Sequence, residues 1–492
     1  MNKKQSTPFY IIIVAGLGFV IYWITKQGNA LQSPTLTAQQ MQTAKDTSAV
    51  SDFQVFTDLF KHNLSEPLTV LLLQIIVIIA FARLFGFLFK KMGQPAVIGE
   101  IVAGIILGPS IIGAYFPEIN HFLFPAASLV TLSFLSQIGL ILFMFIIGME
   151  LDLKAIGKQA YGAVIISHAS IIIPYTLGMG LAYYIYRDYA PAGITFLSFA
   201  LFMGIAMSIT AFPVLARILQ EKGLIRSKLG AMALTCAAAD DLTAWCILAA
   251  VIALVKSGSS ISVLYTIGLA IVYVLVMLKL VRPFLERLSN VYDNKEKKRT
   301  PIIALLFVIL IVSSYITSII GIHALFGAFI AGVIMPSSFS FRKIVIDKIE
   351  DVSIILLLPL FFVITGLRTQ IGLINEGHLW VTFGWILLVA VAGKFGGSAL
   401  AARMVGQSWK DSLSIGVLMN TRGLMQLIVL NIGYDLGILS PEIFAMMVLM
   451  ALVTTFMTGP ALDLINWLMK EKVVEQDSTA TINPATENKT AL

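Results

Sequence analysis

The sequence predicts an all-α polytopic membrane protein with thirteen core transmembrane helices arranged as an inverted repeat, plus one extra helix at the N-terminus. Three observations lead there. Of 492 residues, 58% are hydrophobic and only 12% charged, against roughly 45–50% and about 25% in soluble domains. Apolar stretches of spanning length, about 17–25 residues, follow one another along most of the chain. Lys and Arg concentrate in alternate connections, as they do when short loops retain positive charge on the cytoplasmic side. With a mean hydropathy of +0.89, an ordinary soluble enzyme is excluded, because only an apolar solvent accommodates this composition.

The extra helix covers Phe9 to Thr25. Lys3 and Lys4 before it also fit a signal peptide cleaved near Asn29 and Ala30, but Trp23 and Lys26 suit a small-residue cleavage site poorly, so an uncleaved helix (residues 1–26) is expected. Residues 27–66, rich in Ser, Thr and Gln, hold too little apolar surface for a core and read as a flexible extracytoplasmic linker. The core spans run over Leu68–Phe89, Val97–Gly113, Leu129–Met149, Gly162–Tyr186, Ile194–Leu219, Leu229–Val255 and Val263–Leu285. They continue over Ile302–Ile320, His323–Met335, Val352–Leu367, Leu379–Met404, Leu413–Ile432 and Ile443–Leu468. Two of these are short, and the span from Val352 contains Pro359. Residues 67–470 form the transmembrane domain, and the polar tail 471–492 reads as disordered and cytoplasmic.

If the N-terminus starts inside, 25 of the 34 Lys and Arg fall in inner segments and six in outer ones, which places the C-terminus inside as well. The net charge of +7 is therefore a topology signal and calls for no nucleic-acid partner. Cys236 and Cys246, both in one apolar stretch, provide no disulfide framework and read as small buried hydrophobes.

Internal repetition appears in the small residues. Ala96, Gly99, Ala103 and Gly104 recur at the same spacing as Ala324, Gly327, Ala331 and Gly332. In the following spans, Phe143 to Gly148 parallels Phe361 to Gly366. An odd number of spans separates the matching segments, so the second copy is inverted in the membrane, as in many transporters. The repeats extend over about 67–255 and 302–468.

Charges within the spans mark the functional site, since each costs about 2.5–3.5 kcal/mol at mid-bilayer on insertion scales. Asp240 and Asp241 sit side by side at the middle of the sixth core span, with apolar sequence on both sides. Helical neighbours point about 100° apart, so the two carboxylates address different surroundings. Lys394, near the middle of the eleventh span and flanked by Gly393, Gly396 and Gly397, is the candidate partner, because the glycines allow close helix approach. Two spans carry interruptions at corresponding places: Thr210 to Pro213 in the fifth, and Asn420, Thr421, Arg422 and Gly423 in the twelfth. Broken helices at mid-membrane offer carbonyls and helix ends to ions. Glu100 is a candidate lining residue of a cytoplasmic funnel, Glu150 reads as an interfacial partner of Lys, and His168 as a helix-contact histidine.

Gly93–Ile101, Thr210–Leu219, the Asp240–Asp241 pair, Leu358–Phe362, Gly393–Lys394 and Leu418–Leu424 together resemble monovalent cation:proton antiporter family 2, over about residues 66–470. Within it the chain is most similar to the sodium/proton antiporters and plant cation/proton exchangers. The resemblance implies a sodium/proton antiporter fold, a homodimer, and a mobile core domain with two crossed, unwound helices. It implies exchange of Na⁺ or K⁺ for H⁺ across a cell membrane, for pH and cation homeostasis, with no cofactor besides the transported ions and no enzymatic activity. Carried over by position, Asp241 is the essential ion- and proton-binding carboxylate (the metal site for transported Na⁺ or K⁺) and Asp240 the second acid. Lys394 is its ionic partner, and Thr210, Pro213, Asn420, Thr421 and Arg422 belong to the crossing segments. Two features depart from the family pattern. Many relatives carry Asn at the position of Asp240, and the nucleotide-binding regulatory domain of the potassium-efflux members is not expected after Lys470.

Two other functions compete at this level. A sodium-coupled organic-anion symporter on a related inverted repeat would need a larger cavity and no mid-helix Asp pair. An intramembrane aspartyl protease would need its two acids on facing helices, whereas these are neighbours in sequence. The sequence leaves the choice between Na⁺ and K⁺ open.

Overall fold

A computed structural model describes residues 15–27, 52–150, 160–224, 227–257, 260–287, 299–336, 339–375 and 377–469. The cleavage site near residues 29–30 and the tail beyond 470 lie outside them, as does most of the linker. Within that linker, Asp52–Leu64 forms a helix, α1. Its Phe53, Val55, Phe56, Leu59 and Phe60 recur at helical spacing, an amphipathic pattern that outweighs the polar composition of its surroundings.

The following helices are α2 (Pro67–Lys91), α3 (Ala96–Leu107), α4 (Ala126–Glu150), α5 (Ala160–Tyr189), α6 (Phe196–Ser208), α7 (Phe212–Glu221), α8 (Lys228–Ser257) and α9 (Ser260–Val276). Then come α10 (Arg299–Ile320), α11 (Ala324–Val333), α12 (Phe339–Glu350), α13 (Leu358–Arg368), α14 (Gly377–Val391) and α15 (Gly397–Met404). The series ends with α16 (Trp409–Met419), α17 (Leu424–Asp435) and α18 (Pro441–Leu468). Single π-helical turns continue α9 at Met277–Val281, join α12 to α13 at Asp351–Leu357, and join α14 to α15 at Ala392–Gly396.

Among the described residues, eleven helices are long and apolar enough to cross a membrane, and twelve if the bent pair α16 and α17 is one span. The expected thirteen plus one is therefore not reproduced as a count. The segment from His323 to Met335 yields only the ten residues of α11, about 15 Å of helix against a hydrocarbon layer of about 30 Å. The N-terminal segment is described only from residue 15.

Beyond Val70 the helices pack in two groups. One contains α3, α4, α10, α11 and α13; the other contains α5 to α8 and α14 to α18. Helix α9 touches α8 on one side and α10 on the other, and most of its length is unburied. In the first group, the glycines noted in sequence exchange partners reciprocally. Gly104 of α3 meets Gly366 of α13, where an added Cβ would lie 2.9 Å from the Gly366 Cα. Gly332 of α11 meets Gly148 of α4 in the same way, again with 2.9 Å to the Gly148 Cα. Each short glycine-bearing helix thus lies against a helix from the other half of the chain, at distances that only glycine permits.

Candidate functional site

The site is built where two broken helices meet. Pro213 is the second residue of α7; it has no N–H to give the preceding turn, so α6 ends at Ser208 and residues 209–211 run extended. On the other side, α16 ends at Met419, and Asn420 to Gly423 separate it from α17. The two breaks are hydrogen-bonded together. The Ala211 N–H donates to the Thr421 carbonyl at 3.0 Å. The Thr210 hydroxyl lies 3.0 Å from the Met419 carbonyl oxygen and 2.6 Å from Asp240 Oδ2. Thr455 of α18 steadies the second break, accepting from the Arg422 N–H at 3.1 Å and donating to the Arg422 carbonyl at 2.7 Å.

Ending α6 in mid-protein orphans its last carbonyls at the negative end of the helix dipole. Buried cations satisfy them. Arg422 Nη1 donates to the Ala206 carbonyl at 3.1 Å, and Nη2 to that of Met207 at 2.7 Å. Lys394 Nζ donates to the Ser208 carbonyl. Arg422 also reaches Gln426 Oε1 at 3.2 Å, one turn along α17.

Lys394 reaches this point because the π-helical turn at Ala392–Gly396 lies tight against α5. A Cβ on Gly393 would sit 2.9 Å from the Pro174 Cα. Lys394 Nζ donates to the Ser170 carbonyl at 2.9 Å and forms an ion pair with Asp240 Oδ2 at 2.7 Å, both side chains fully buried. Asp240 accepts in addition from Ser170 Oγ at 2.8 Å and Ser167 Oγ at 3.2 Å. Its carboxylate therefore has four donors and needs nothing more.

Asp241, one residue on, is the opposite case. It is 3% exposed, and neither carboxylate oxygen meets a donor in good hydrogen-bond geometry, the Phe212 N–H at the start of α7 being directed at it without closing a bond. The Asn420 Oδ1 in the second break is likewise buried and unpaired. An ionised carboxylate in that condition is costly. Four residues along α8, Trp245 is buried, and its ring stacks on Phe329 of α11 with centroids 6.3 Å apart.

Thr210, Asp240, Lys394, Met419 and the second break thus form one cluster, with Asp241 beside it. Glu100 lies on α3, half-buried, its Cγ 3.8 Å from where a Cβ on Gly86 would be; it is not among the donors or acceptors around Asp240. His168 bonds the Val164 carbonyl on its own helix at 2.8 Å. The Glu150 side chain lies outside the described residues. Sequence reasoning missed Ser167, Ser170 and Thr455. The two serines are three apart in an otherwise apolar helix, a spacing that puts both hydroxyls on one face. No group of three or more His, Cys, Asp or Glu gathers to hold a resident metal among the described residues.

Crossed helix breaks around buried charge, within a bundle of membrane-length helices, define a polytopic membrane transporter. The chain belongs to the sodium/hydrogen exchanger family: the model for its transmembrane region matches residues 76–467. It is 42% identical over 397 residues to a Na⁺/H⁺ antiporter, NhaS4, of Synechocystis, a match covering 80% of this chain and 97% of that one. It is 41% identical to Cation/H⁺ antiporter 17 of Arabidopsis thaliana (81% and 49% covered) and 35% identical to K⁺/H⁺ antiporter 1 of Saccharomyces cerevisiae (82% and 47%). The chain thus spans about half the length of the plant and yeast relatives. The sodium proton antiporter MjNhaP1 from Methanocaldococcus jannaschii has the same fold, with a TM-score of 0.59 at 16% identity, covering 82% of this chain and 98% of the other.

Proposed function

We propose that this protein exchanges Na⁺ or K⁺ for H⁺ by alternating access, and that Asp241 is the group for which ion and proton compete. The observation that carries this reading is the contrast between the two adjacent acids: Asp240 is saturated by Lys394 and three hydroxyls, while Asp241 is buried with no hydrogen bond closed on it. Protonated, Asp241 is neutral and can cross the membrane interior with the moving site. Deprotonated, it accepts a dehydrated monovalent cation, with the Asn420 amide oxygen as a further ligand from the second break. Either occupant neutralises the site before it moves, which removes the cost of carrying bare charge through hydrocarbon. The names of the relatives, Na⁺/H⁺, K⁺/H⁺ and cation/H⁺ antiporters, support the same exchange without selecting the cation.

The remaining architecture follows from that reading. The reciprocal pairing of Gly104 with Gly366 and Gly332 with Gly148 supports an inverted repeat. The short helix α11 then counts as the counterpart of α3, giving thirteen core spans with the N- and C-termini inside by the distribution of Lys and Arg. The group containing α3, α4 and α13 is the scaffold and dimer-forming part, and the group holding the breaks is the moving part. A narrow crevice lined by Pro95, Val97, Val214, Arg422 and Gly423 reaches the second break, and we infer that it widens towards the inner face when the site turns inward. Glu100, one turn further along α3, is proposed to line its approach.

Reconstitution into proteoliposomes with an internal pH dye tests the function. Addition of Na⁺ or K⁺ is expected to drive proton efflux in the native protein and none in Asp241→Asn. Undiminished cation-driven proton flux in that variant defeats the assignment.

A further inference from the structure

The face opposite the Lys90–Lys91 end carries a second, small cavity, lined among others by Ser133, Gln137, His323, Arg368, Asn431 and Asp435. It lies between the two helix groups, and at its rim the groups are tied together. Arg368, the last residue of α13, pairs with Asp435, the last residue of α17, at 2.9 Å, and also donates to Asn431 Oδ1 at 2.9 Å. Asn431 in turn donates to the Thr365 hydroxyl of α13 at 2.9 Å and to the Leu427 carbonyl of its own helix at 2.9 Å. The Arg368 guanidinium lies over the Tyr434 ring, 5.8 Å from its centroid. Both polar partners on α17 are thereby joined to α13. At the inner face the hydrogen bond from Gln94 Nε2 of the α2–α3 connection to the Phe456 carbonyl of α18 is long, at 3.5 Å.

We propose that Arg368, Asp435, Asn431 and Thr365 form an outer latch, which holds α17 against α13 and keeps the path from the outer cavity to Asp241 closed. Helix α17 begins at the second break, so any movement that opens this path carries its far end away from α13. The Arg368–Asp435 and Asn431–Thr365 links stretch together in that movement, and they re-form when the site turns inward. The latch therefore sets the fraction of time the site faces outward. It rests on the alternating-access reading, but not on the identity of the cation.

Accessibility of a reporter cysteine tests it. Leu140 lines the same cavity and is buried at 3%. Leu140→Cys, in a Cys236→Ala, Cys246→Ala background, is exposed to an impermeant maleimide added outside right-side-out vesicles. Arg368→Gln and Asn431→Ala are expected to raise its labelling rate about fivefold, the size of a partly exposed ion pair. Arg368→Lys keeps the charge but loses the planar guanidinium that lies over Tyr434, and it is expected to fall between these and the native latch. The charge-reversed pair Arg368→Asp, Asp435→Arg returns the rate towards the starting value. Lys222→Gln, which breaks the Lys222–Asp463 pair between α7 and α18, leaves it unchanged. Unaltered labelling in both Arg368→Gln and Asn431→Ala, with normal elution on gel filtration, overturns the latch. Labelling requires no transport, so that outcome would leave the antiport assignment standing. Loss of antiport in Asp241→Asn is read separately, by flux.

Discussion

Removing Lys394 tests the electrostatic design of the site most directly. In Lys394→Met, similar in length and unable to carry charge, the Asp240 carboxylate keeps its three hydroxyl donors but loses the counter-charge that touches it, at 2.7 Å in a fully buried setting, and is left with the Arg422 guanidinium at longer range. The Ser208 and Ser170 carbonyls lose their donor at the same time. Breaking a buried pair from one side costs about 3–5 kcal/mol. A second change, Asp240→Asn, removes the stranded charge, so the double variant should recover about 2 kcal/mol or more of that loss, a coupling of the size found between contacting residues. Denaturant unfolding of the wild type, both single variants and the double variant in mixed micelles completes the cycle. Additive losses, or a Lys394→Met protein as stable as the parent, would show that the pair does not hold the site together.

Other outcomes follow from single contacts. Asp241→Asn is expected to unfold at the same or a higher denaturant concentration than the parent, because it removes a carboxylate that the folded protein leaves unpaired. Gly104→Leu should prevent α3 from approaching α13; overpacking alone costs about 1–3 kcal/mol, and here the obstacle is backbone, so loss of the monodisperse gel-filtration peak is expected. Thr210→Val removes one of the four donors to Asp240 and should cost about 1–3 kcal/mol in the same unfolding assay. Lys222→Ala breaks a largely exposed pair and should shift stability by no more than about 0.5 kcal/mol.

What could be read from the sequence divides along physical lines. Spans were legible because hydrocarbon imposes a length and a composition on every crossing. Asp240, Asp241 and Lys394 were legible because an isolated charge in such a span is too costly to be incidental. The pairing itself was foreshadowed by Gly393, whose missing side chain lets the Lys394 turn close on Pro174. Pro213 and the Asn420–Gly423 run announced the breaks, since one removes a helix donor and the other mixes glycine with polar residues. The helix at Asp52–Leu64 was masked by the polar residues around it. Ser167 and Ser170 were passed over because hydroxyls are common in membrane helices, where they usually bond their own backbone. That both aim at Asp240 depends on how α5 is rotated against α8, which periodicity does not encode. The tally of spans is left open at α11, because a ten-residue helix is too short to be recognised by length and is held mid-bundle by packing, here on α4 and α10.

The two partners in the buried pair are not equivalent. Lys394 has three uncharged acceptors besides the carboxylate: the Ser170 carbonyl, the Ser170 hydroxyl and the Ser208 carbonyl at the negative end of α6. An ammonium has three donors, so it stays fully bonded, and favourably placed at a helix C-terminus, when Asp240 becomes neutral. The carboxylate has less in reserve: without Lys394 it touches only hydroxyls, the Arg422 charge acts on it from a distance, and two carbonyls are left open beside it. Asp240→Asn should therefore destabilise the protein less than Lys394→Met, by about 1–3 kcal/mol on the strength of one charge-assisted bond, and should keep cation-driven proton flux through Asp241. Measuring the two variants side by side, in unfolding and in flux, decides the point. If Asp240→Asn proves the more damaging of the two, the ammonium is held by the aspartate alone, and the end of α6 contributes nothing to its binding.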